Sequence, residues 1–398
     1  METKSYAIKN ALIVTPTEVL KGKVLLTDGA TIAALVDQAD WTPSPDQQVI
    51  DAEGAWLMPG FIDIHADYIE HMAAPRPSSL MDFRLALREA EKELVTHGVT
   101  TMFHSLSFYK TSEFGDNPVR NSKNVRRFID LIDQMHQGPH LVRHRFHARL
   151  EIDNPGALAD LEEFIRNRKV HLLSFMDHTP GQGQYRNLEI FRETLKGYRN
   201  LADHEVDAII DKHQTKEVLS LEVLTSLART ALDHGVAVAS HDDDTVDKVK
   251  LVKSLGATIS EFPITLEVAR EAQAQGLATV AGAPNILLGG SHSGNLSAAE
   301  AIQAGVIDIL CSDYYPAALL HGVFRMVKDY GQTLPAMVAL VSSHPAQATG
   351  LGEITGAIRP GLRADLLLCR ELEDGFPVVE AVFVDGVLVH QTSYRRSR

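Results

Sequence analysis

Residues 57–67 read LMPGFIDIHAD, a short apolar run at 57–64 followed by a histidine and an aspartate. Seven further apolar runs follow, and a stretch of helical periodicity comes after each of them. They lie at 99–103, 145–152, 170–176, 236–240, 257–262, 278–283 and 307–311. Eight β–α repeats over about 300 residues predict a (β/α)8 barrel with insertions. The alternative is a doubly wound open sheet, but no dinucleotide-type glycine fingerprint follows the first strand.

Both chain ends carry strand patterns. Residues 1–55 contain short alternating strands with an Asp-Gly turn signal at 28–29, and a second Asp-Gly signal lies at 385–386. Neither end has enough apolar surface to fold alone, so we expect the two to combine into one small β-sandwich. The predicted domains are a composite β-sandwich, residues 1–55 with 356–398, and a distorted TIM barrel, residues 56–355.

Composition excludes several functions. The 398 residues include 38 Lys and Arg against 52 Asp and Glu, a formal net charge of −14, which disfavours nucleic acid because phosphate backbones are bound through clustered cations. Two cysteines without a CxxC pair exclude a disulfide scaffold and a thiolate zinc site. No apolar stretch approaches the ~18 residues of a membrane span. We expect a cytoplasmic protein with a small-molecule partner and no membrane association; a homo-oligomer stays open.

Histidines and carboxylates follow the apolar runs, at the strand ends where barrel active sites are built. The second strand is expected to end at His104. Such side chains suit a divalent metal, Zn²⁺ first, with Mn²⁺ or Fe²⁺ as alternatives. Their number exceeds what one tetrahedral ion uses, so we expect two ions. The predicted ligands are His65, Asp67, Glu151, His178, His241 and Asp313. A structural zinc site is the competing interpretation, but it commonly uses thiolates, and neither cysteine has a suitable partner.

Two segments resemble the amidohydrolase superfamily. Residues 59–67 (PGFIDIHAD) resemble its first-strand motif, with aspartate where most members have a second histidine, and residues 359–366 (RPGLRADL) are similar to its return into a terminal β-sandwich. Within the superfamily, seven segments are similar to the alpha-D-ribose 1-methylphosphonate 5-triphosphate diphosphatase family of the carbon–phosphorus lyase pathway. They are 65–67 (HAD), 175–182 (FMDHTPGQ), 239–243 (ASHDD), 261–263 (EFP), 282–285 (GAPN), 289–295 (GGSHSGN) and 312–316 (SDYYP).

The resemblance implies a metal-dependent hydrolase that converts the triphosphate to the 5-phosphate and pyrophosphate with a metal-activated water. Glu151 would be the bridging carboxylate, and Asp313 would bind one metal and act as the general base. The implied substrate-binding residues are Arg76, Gln182, Arg186, His292 and Ser293. The chain departs from the family at Tyr68, where an asparagine is expected, and in a shorter stretch after residues 75–77.

Alternatives remain for several of these residues. Glu151 could instead form an ion pair with Arg149 or Arg145, and Arg76 and Arg186 could be solvated surface charges. The acidic run 242–244 could hold Mg²⁺, but the favoured interpretation is an N-cap and first-turn acids of a helix at 245–255. The alternative function is hydrolysis of a C–N bond, in a cyclic amide, an N-acyl amino acid or a deaminase substrate, with the same metals. A non-catalytic metal-binding protein is disfavoured because Asp313 is present.

Overall fold

The N-terminal part of the chain forms seven short strands. The computed structural model describes residues 4–76, 79–108, 118–177, 202–214, 218–290 and 295–394, together with Leu188, Glu189, Arg192 and Lys196. The strands are β1 (Ser5–Lys9), β2 (Leu12–Val14), β3 (Val19–Leu20), β4 (Lys23–Asp28), β5 (Thr31–Asp37), β6 (Gln47–Asp51) and β7 (Trp56–Pro59).

Eight parallel strands then form a single sheet in chain order. They are β8 (Phe61–Ala66), β9 (Val99–Phe108), β10 (Arg143–Glu151), β11 (Leu172–Met176), β12 (Ala237–His241), β13 (Ile259–Glu261), β14 (Ala278–Gly282) and β15 (Ile309–Cys311). A parallel bridge between Ala66 and Asp313 joins the first strand to the residues that follow the last one. Asp313 N donates to His65 O at 3.0 Å, and Asp67 N donates to Asp313 O at 2.9 Å. The predicted barrel is therefore confirmed, and it closes at this point.

The chain ends build two further sheets, as predicted. β1, β4, β5 and β6 form one; β2, β3 and β7 form the other together with β16 (Leu366–Glu371), β17 (Pro377–Val384) and β18 (Val387–Gln391). Their shared core combines side chains from both ends of the chain, among them Ile8, Leu25, Leu366 and Phe383. The composite sandwich is thus present, while the domain boundaries at 55/56 and 355/356 stay a prediction.

Helices surround the barrel. They span Tyr68–Ala73, Phe83–Thr96, Ser122–Gln137, Leu158–Arg166, Asp203–Gln214, Leu221–Asp233, Val246–Ser254, Leu266–Ala274, Ala283–Leu288, Ala298–Gln303, Ala318–Tyr330, Leu334–Ala339 and Ser343–Ala348. Two 3₁₀ turns lie at Pro118–Arg120 and Pro155–Ala157. In the described part of the chain, no helix combines the length and apolarity that crossing a bilayer requires.

Three local expectations were wrong. The apolar run 57–64 is divided between two strands, because β7 belongs to the terminal sheet and β8 to the barrel. The chain passes from one sheet to the other at Gly60, where a Cβ would overlap Thr100 Oγ1 at 2.2 Å. The second barrel strand does not end at His104 but continues to Phe108. The N-cap of the helix Val246–Ser254 is Thr245, whose side chain accepts the N–H of Lys248, so the acidic run 242–244 does not cap it.

The two Asp-Gly turns meet in the sandwich. Asp385 (φ 51°) and Gly386 (φ 69°) both adopt left-handed conformations between β17 and β18, as two-residue hairpin turns of the mirror-image type require. A Cβ on Gly386 would lie 1.9 Å from the carbonyl oxygen of Gly29, in the turn between β4 and β5. The absence of a side chain at Gly386 therefore lets the N-terminal and C-terminal hairpins pack together.

We expect Gly386→Ala to destabilise the protein by about 1–3 kcal/mol more than Gly22→Ala, because only the first substitution creates an overlap. Gly22 has nearly the same φ, 67°, and a Cβ added to it would have no atom within 4 Å, so it controls for backbone strain. Urea unfolding of both variants measures the difference. Equal losses of stability would show that the hairpin contact contributes nothing.

Candidate metal centre

Three buried side chains from different parts of the barrel meet at its carboxyl end. His65 lies near the end of β8, and His241 and Glu261 are the last residues of β12 and β13. One ligand atom from each lies within 4.8 Å of the other two. His241 and Glu261 are register partners on neighbouring strands, which explains why residues 20 positions apart are adjacent. Among the described residues, this is the one group of three or more possible ligands whose atoms lie close enough together to hold a metal ion.

Hydrogen bonds define the tautomers of both histidines. His65 Nδ1 lies 2.9 Å from Glu261 Oε1, and a carboxylate only accepts, so Nδ1 donates and Nε2 keeps its lone pair. Arg149 Nη2 lies 3.2 Å from His241 Nε2, and a guanidinium only donates, so Nε2 of His241 also carries a lone pair. Burial holds the pKa of His65 well below its usual value, with Arg149 lowering it further. Burial thus favours the neutral form of His65, the form in which a histidine binds metal.

The remaining donors also fit a divalent cation. Glu261 is fully buried, and its Oε2 has no hydrogen-bond partner in the described structure. Asp67 Oδ1 is likewise buried without such a partner among the described residues. Because a buried carboxylate oxygen that lacks a partner is costly, these atoms indicate a missing positive charge. Imidazole nitrogen and carboxylate oxygen are donors that zinc, manganese and iron accept.

Asp313 lies at the closure of the barrel. Burial, together with the neighbouring carboxylates of Asp67, Asp242 and Asp63, raises its pKa to about 7, while Arg149 opposes the shift. Its backbone has φ 61°, in the left-handed region that few non-glycine residues adopt. Asp242 and Phe262 share this conformation directly after β12 and β13. Backbone strain is therefore concentrated where three strands reach the site, as it commonly is at functional sites.

Arg120 forms ion pairs with Asp67, the N-cap of the helix Tyr68–Ala73, and with Glu70 in the first turn of that helix. Its Nε donates to both carboxylate oxygens of Glu70, at 2.8 and 2.7 Å, and its Nη2 lies 3.4 Å from Asp67 Oδ2. Burial raises the pKa of Glu70 to about 7 even though Arg120 favours the ionised form. The arginine therefore supports two carboxylates beside the barrel mouth and orients one of the predicted ligands.

A second polar layer lies beneath the cluster. His147 Nδ1 lies 3.0 Å from Ser105 Oγ, and its Nε2 lies 2.9 Å from Ser174 Oγ. The same ring nitrogen is 3.8 Å from Glu261 Oε1. Burial lowers the pKa of His147 to about 3, so this ring is neutral. It supports the metal cluster from inside the barrel by hydrogen bonds to two neighbouring strands.

The predicted ligands have different positions in the structure. His65 and His241 come together, and Asp67 and Asp313 lie beside them through the main-chain bonds that close the barrel. Glu151 is buried at the end of β10. In the described structure, the carboxylates of Asp67, Glu151 and Asp313 are not part of the 4.8 Å cluster. His178 lies outside the described residues, so the six-ligand binuclear set stays a prediction.

The predicted substrate residues are mostly outside the described part of the chain. Arg76 is exposed and forms a short antiparallel bridge with Ser79. The others, Gln182, Arg186, His292 and Ser293, fall in residues that the structure does not describe.

Sequence reasoning missed two residues of the site. Glu261 stands in a segment that carries the family resemblance, but the sequence predicts no role for it, because it lies within an apolar run. From the sequence, Arg149 is only a possible partner of Glu151. The structure instead places Arg149 against His241, with Nε 3.1 Å from Met176 Sδ. The available signal was position: both residues end or nearly end a barrel strand.

Known proteins share this architecture. Residues 56–389 match the family model described as the amidohydrolase family. The chain therefore belongs to the amidohydrolase family, as the first-strand motif predicted, and it is a hydrolase of that superfamily.

One relative matches most of the chain. The chain is 35% identical over 376 residues to the alpha-D-ribose 1-methylphosphonate 5-triphosphate diphosphatase of Escherichia coli K12, covering 92% of this chain and 96% of the relative. The resemblance to this enzyme is thus confirmed. A shorter match, 33% over 86 residues, links 22% of the chain to 12% of adenine deaminase from a Ruegeria species.

Solved structures confirm the fold alone. Dihydropyrimidinase from Brevibacillus agri superimposes with a TM-score of 0.63 at 16% identity, covering 97% of this chain and 95% of that one. N-acetylglucosamine-6-phosphate deacetylase from Pasteurella multocida gives 0.60 at 15% identity, covering 96% and 98%.

We expect Glu261→Gln to lower the affinity for divalent metal by at least ~10-fold, because the substitution removes a charge and the acceptor that orients His65. Metal analysis after dialysis and calorimetric titration with Zn²⁺ measure this. Glu267→Gln, on the exposed first turn of the helix Leu266–Ala274, is the matched control and should bind as the unmodified protein does. Unchanged metal content in Glu261→Gln would remove Glu261 from the site.

Proposed function

We propose that this hydrolase cleaves alpha-D-ribose 1-methylphosphonate 5-triphosphate to the 5-phosphate and pyrophosphate. The observation that carries the proposal is the 35% identity, over 92% of the chain, to the E. coli enzyme with that name. The match covers 96% of the relative, so it extends over most of both chains rather than over the metal centre alone. The proposal places the protein among cytoplasmic enzymes of phosphonate metabolism, with a small phosphorylated substrate.

The proposed metal ligands are those predicted from the sequence, with Glu261 added. They are His65, Asp67, Glu151, His178, His241, Asp313 and Glu261. We propose two Zn²⁺ ions, with Mn²⁺ or Fe²⁺ as alternatives. Divalent metal at this position supplies a Lewis acid for a phosphoryl oxygen and lowers the pKa of water.

Asp313 is the proposed general base. Asp313 lies at the barrel closure, where its main chain bonds to His65 and Asp67 and its carboxyl group interacts electrostatically with Asp67; we propose that it takes the proton of an attacking water there. A carboxylate with a pKa of about 7 holds a proton more readily than an exposed aspartate does. Burial and the surrounding acids therefore give Asp313 the basicity that the reaction requires.

Arg149 supplies a fixed positive charge at the site. The substrate is polyanionic while the protein has a net charge of −14, so cations must be concentrated locally. Arg149 is buried, and its Nη2 is within hydrogen-bond distance of His241. A guanidinium donates two parallel hydrogen bonds to phosphate. We assign Arg149 to the phosphate chain, together with the sequence-predicted Arg76, Gln182, Arg186, His292 and Ser293.

A C–N bond hydrolase is the second candidate. The specific observation in its favour is the 86-residue match to an adenine deaminase, and the departure at Tyr68 lies beside the site. A neutral amide or a nucleobase would not need the charge of Arg149. The two candidates therefore differ in what Arg149 contributes to substrate binding.

Purified protein loaded with Zn²⁺ or Mn²⁺ should release pyrophosphate from the ribose phosphonate triphosphate. Asp313→Asn should reduce turnover by at least ~10²-fold, the lower range for loss of a general base. Asp329→Asn, an exposed aspartate of the helix Ala318–Tyr330, is the control and should retain full turnover. A protein that releases no pyrophosphate but opens a dihydropyrimidine or deaminates adenine would establish the C–N hydrolase instead.

Arg149→Met should raise the KM for the triphosphate by ~10- to 100-fold, because one charge-assisted hydrogen bond contributes about 1.5–3 kcal/mol. Its KM for any neutral amide that the enzyme turns over should scarcely change. Arg186→Ala, at a sequence-predicted phosphate contact, should act in the same direction. Metal analysis accompanies the kinetics. If Arg149→Met loses metal but keeps its KM for the triphosphate, Arg149 supports His241 and does not contact the substrate.

A further inference from the structure

A cluster of basic side chains lies near the amino end of β10, away from the metal centre. Arg145 is the third residue of this nine-residue strand, and Glu151 is the last, so the two lie roughly 20 Å apart along the strand. The Arg145 cluster consists of Arg145, His136, His140 and His171. The ring of His136 lies 6.1 Å from that of His140 and 6.4 Å from that of His171.

Arg145 has no counter-ion among the described residues. Its guanidinium lies 5.8 Å from the ring centre of Phe103, and its buried Nε has no hydrogen-bond partner there. Burial, with the charges of Arg143 and Arg363, lowers the pKa of Arg145 to about 10. A half-buried arginine whose Nε has no partner, beside two further arginines, is costly unless an anion accompanies it.

The nearby carboxylates are already occupied. Asp365 accepts two hydrogen bonds from Arg143, and Asp385 is paired with both Arg143 and Arg363. In the described part of the chain, three arginines therefore face two aspartates, and the unpaired one is Arg145. The end of the barrel next to the sandwich therefore has a local excess of positive charge.

Besides this positive charge, the histidine rings supply hydrogen-bonding groups. His171 Nδ1 accepts the N–H of Phe146, so the neutral ring carries its proton on Nε2 and donates there. His136 Nδ1 is buried without a hydrogen-bond partner in the described structure. The charged and titratable groups that act on His136 are Arg145, His140, His144 and Arg143; with burial they lower its pKa to about 4. Burial and Arg145 lower the pKa of His171 to about 3.

We propose that the Arg145 cluster is a binding site for a small tetrahedral oxyanion such as sulfate or inorganic phosphate. The anion would receive charge-assisted hydrogen bonds from Arg145 and hydrogen bonds from the histidine rings. All four side chains are partly accessible to solvent, so an ion can reach them. The site is separate from the metal centre and does not depend on the proposed reaction.

Binding should strengthen as pH falls. An anion at the cluster stabilises protonated His136 and His171, so it raises their pKa values and binding is accompanied by proton uptake. Because the unbound pKa values are about 4 and 3, linkage strengthens binding as the pH falls toward them, and affinity should be higher at about pH 5 than at about pH 8. Sulfate is the better probe, because it remains a dianion over this range while phosphate changes charge.

Calorimetric titration of the metal-loaded protein with sulfate, at constant ionic strength, tests the proposal. We expect one site outside the barrel mouth, tighter at about pH 5 than at about pH 8 and weakened at least ~10-fold in Arg145→Met. His136→Phe should reduce the pH dependence. Arg84→Met, at an exposed arginine, is the control and should bind sulfate unchanged, and Arg145→Met should keep its hydrolytic activity. Sulfate binding unaffected by Arg145→Met would overturn the proposal.

Sulfate could also bind at the metal centre, so location is tested separately. Crystals grown with selenate should show an anomalous peak beside Arg145 and His136 in the unmodified protein. A peak only at the barrel mouth, or none at either end, would overturn the site. Because this experiment uses the unmodified chain, it decides the question even where a variant fails to fold.

Discussion

The pairing that closes the barrel is the contact on which the site depends. Asp313 N donates to His65 O, and Asp67 N donates to Asp313 O, across the junction of the first and last strands. Asp63 adds to this closure, since its Oδ1 accepts N–H groups from His65 and from Ser312, which is 249 residues away in sequence. Without the closure, the two ends of the sheet would present separate half-sites.

This closure also concentrates negative charge. Burial raises the pKa of Asp63 to about 6 and that of Asp313 to about 7, and Glu261 is buried a short distance away. Acids held this closely require positive charge in the same volume. Arg149 supplies one such charge, and the arrangement of imidazole and carboxylate donors fits divalent metal as the other.

The sequence predicted the parts of the site that follow clear apolar runs. His65, Asp67, His241 and Asp313 could be singled out as candidates because each stands just beyond or at the end of such a run, and of these His65 and His241 lie in the described cluster. Glu261 could not, because β13 has only three residues and the apolar run 257–262 extends past it. Only the register of β12 against β13 shows that Glu261 is paired with His241. Local sequence does not encode that register.

The error at His104 has a related physical cause. The second apolar run ends in sequence at residue 103, but β9 continues through His104 and two serines to Phe108. These polar residues are tolerated because they find partners inside the fold: His104 Nε2 lies 2.9 Å from His144 Nδ1, and Ser105 Oγ lies 3.0 Å from His147 Nδ1. A polar residue ends an apolar pattern without ending the strand when its neighbours satisfy its hydrogen bonds.

Strand β10 shows why both ends of the barrel interior can bind charged groups. Residues i and i+2 share a face, so Arg145, His147, Arg149 and Glu151 all face one side, and Arg145 pairs in register with the interior residue Phe103. The opposite face carries Phe146, Ala148 and Leu150, which pack in the core formed with the surrounding helices. The helix layer thus supplies the apolar burial that holds this strand, and its inner face can carry charge along its length. The division between a charged inner face and an apolar outer face explains why the inner face carries an arginine near each end. Arg149 lies toward the metal centre and Arg145 toward the opposite end.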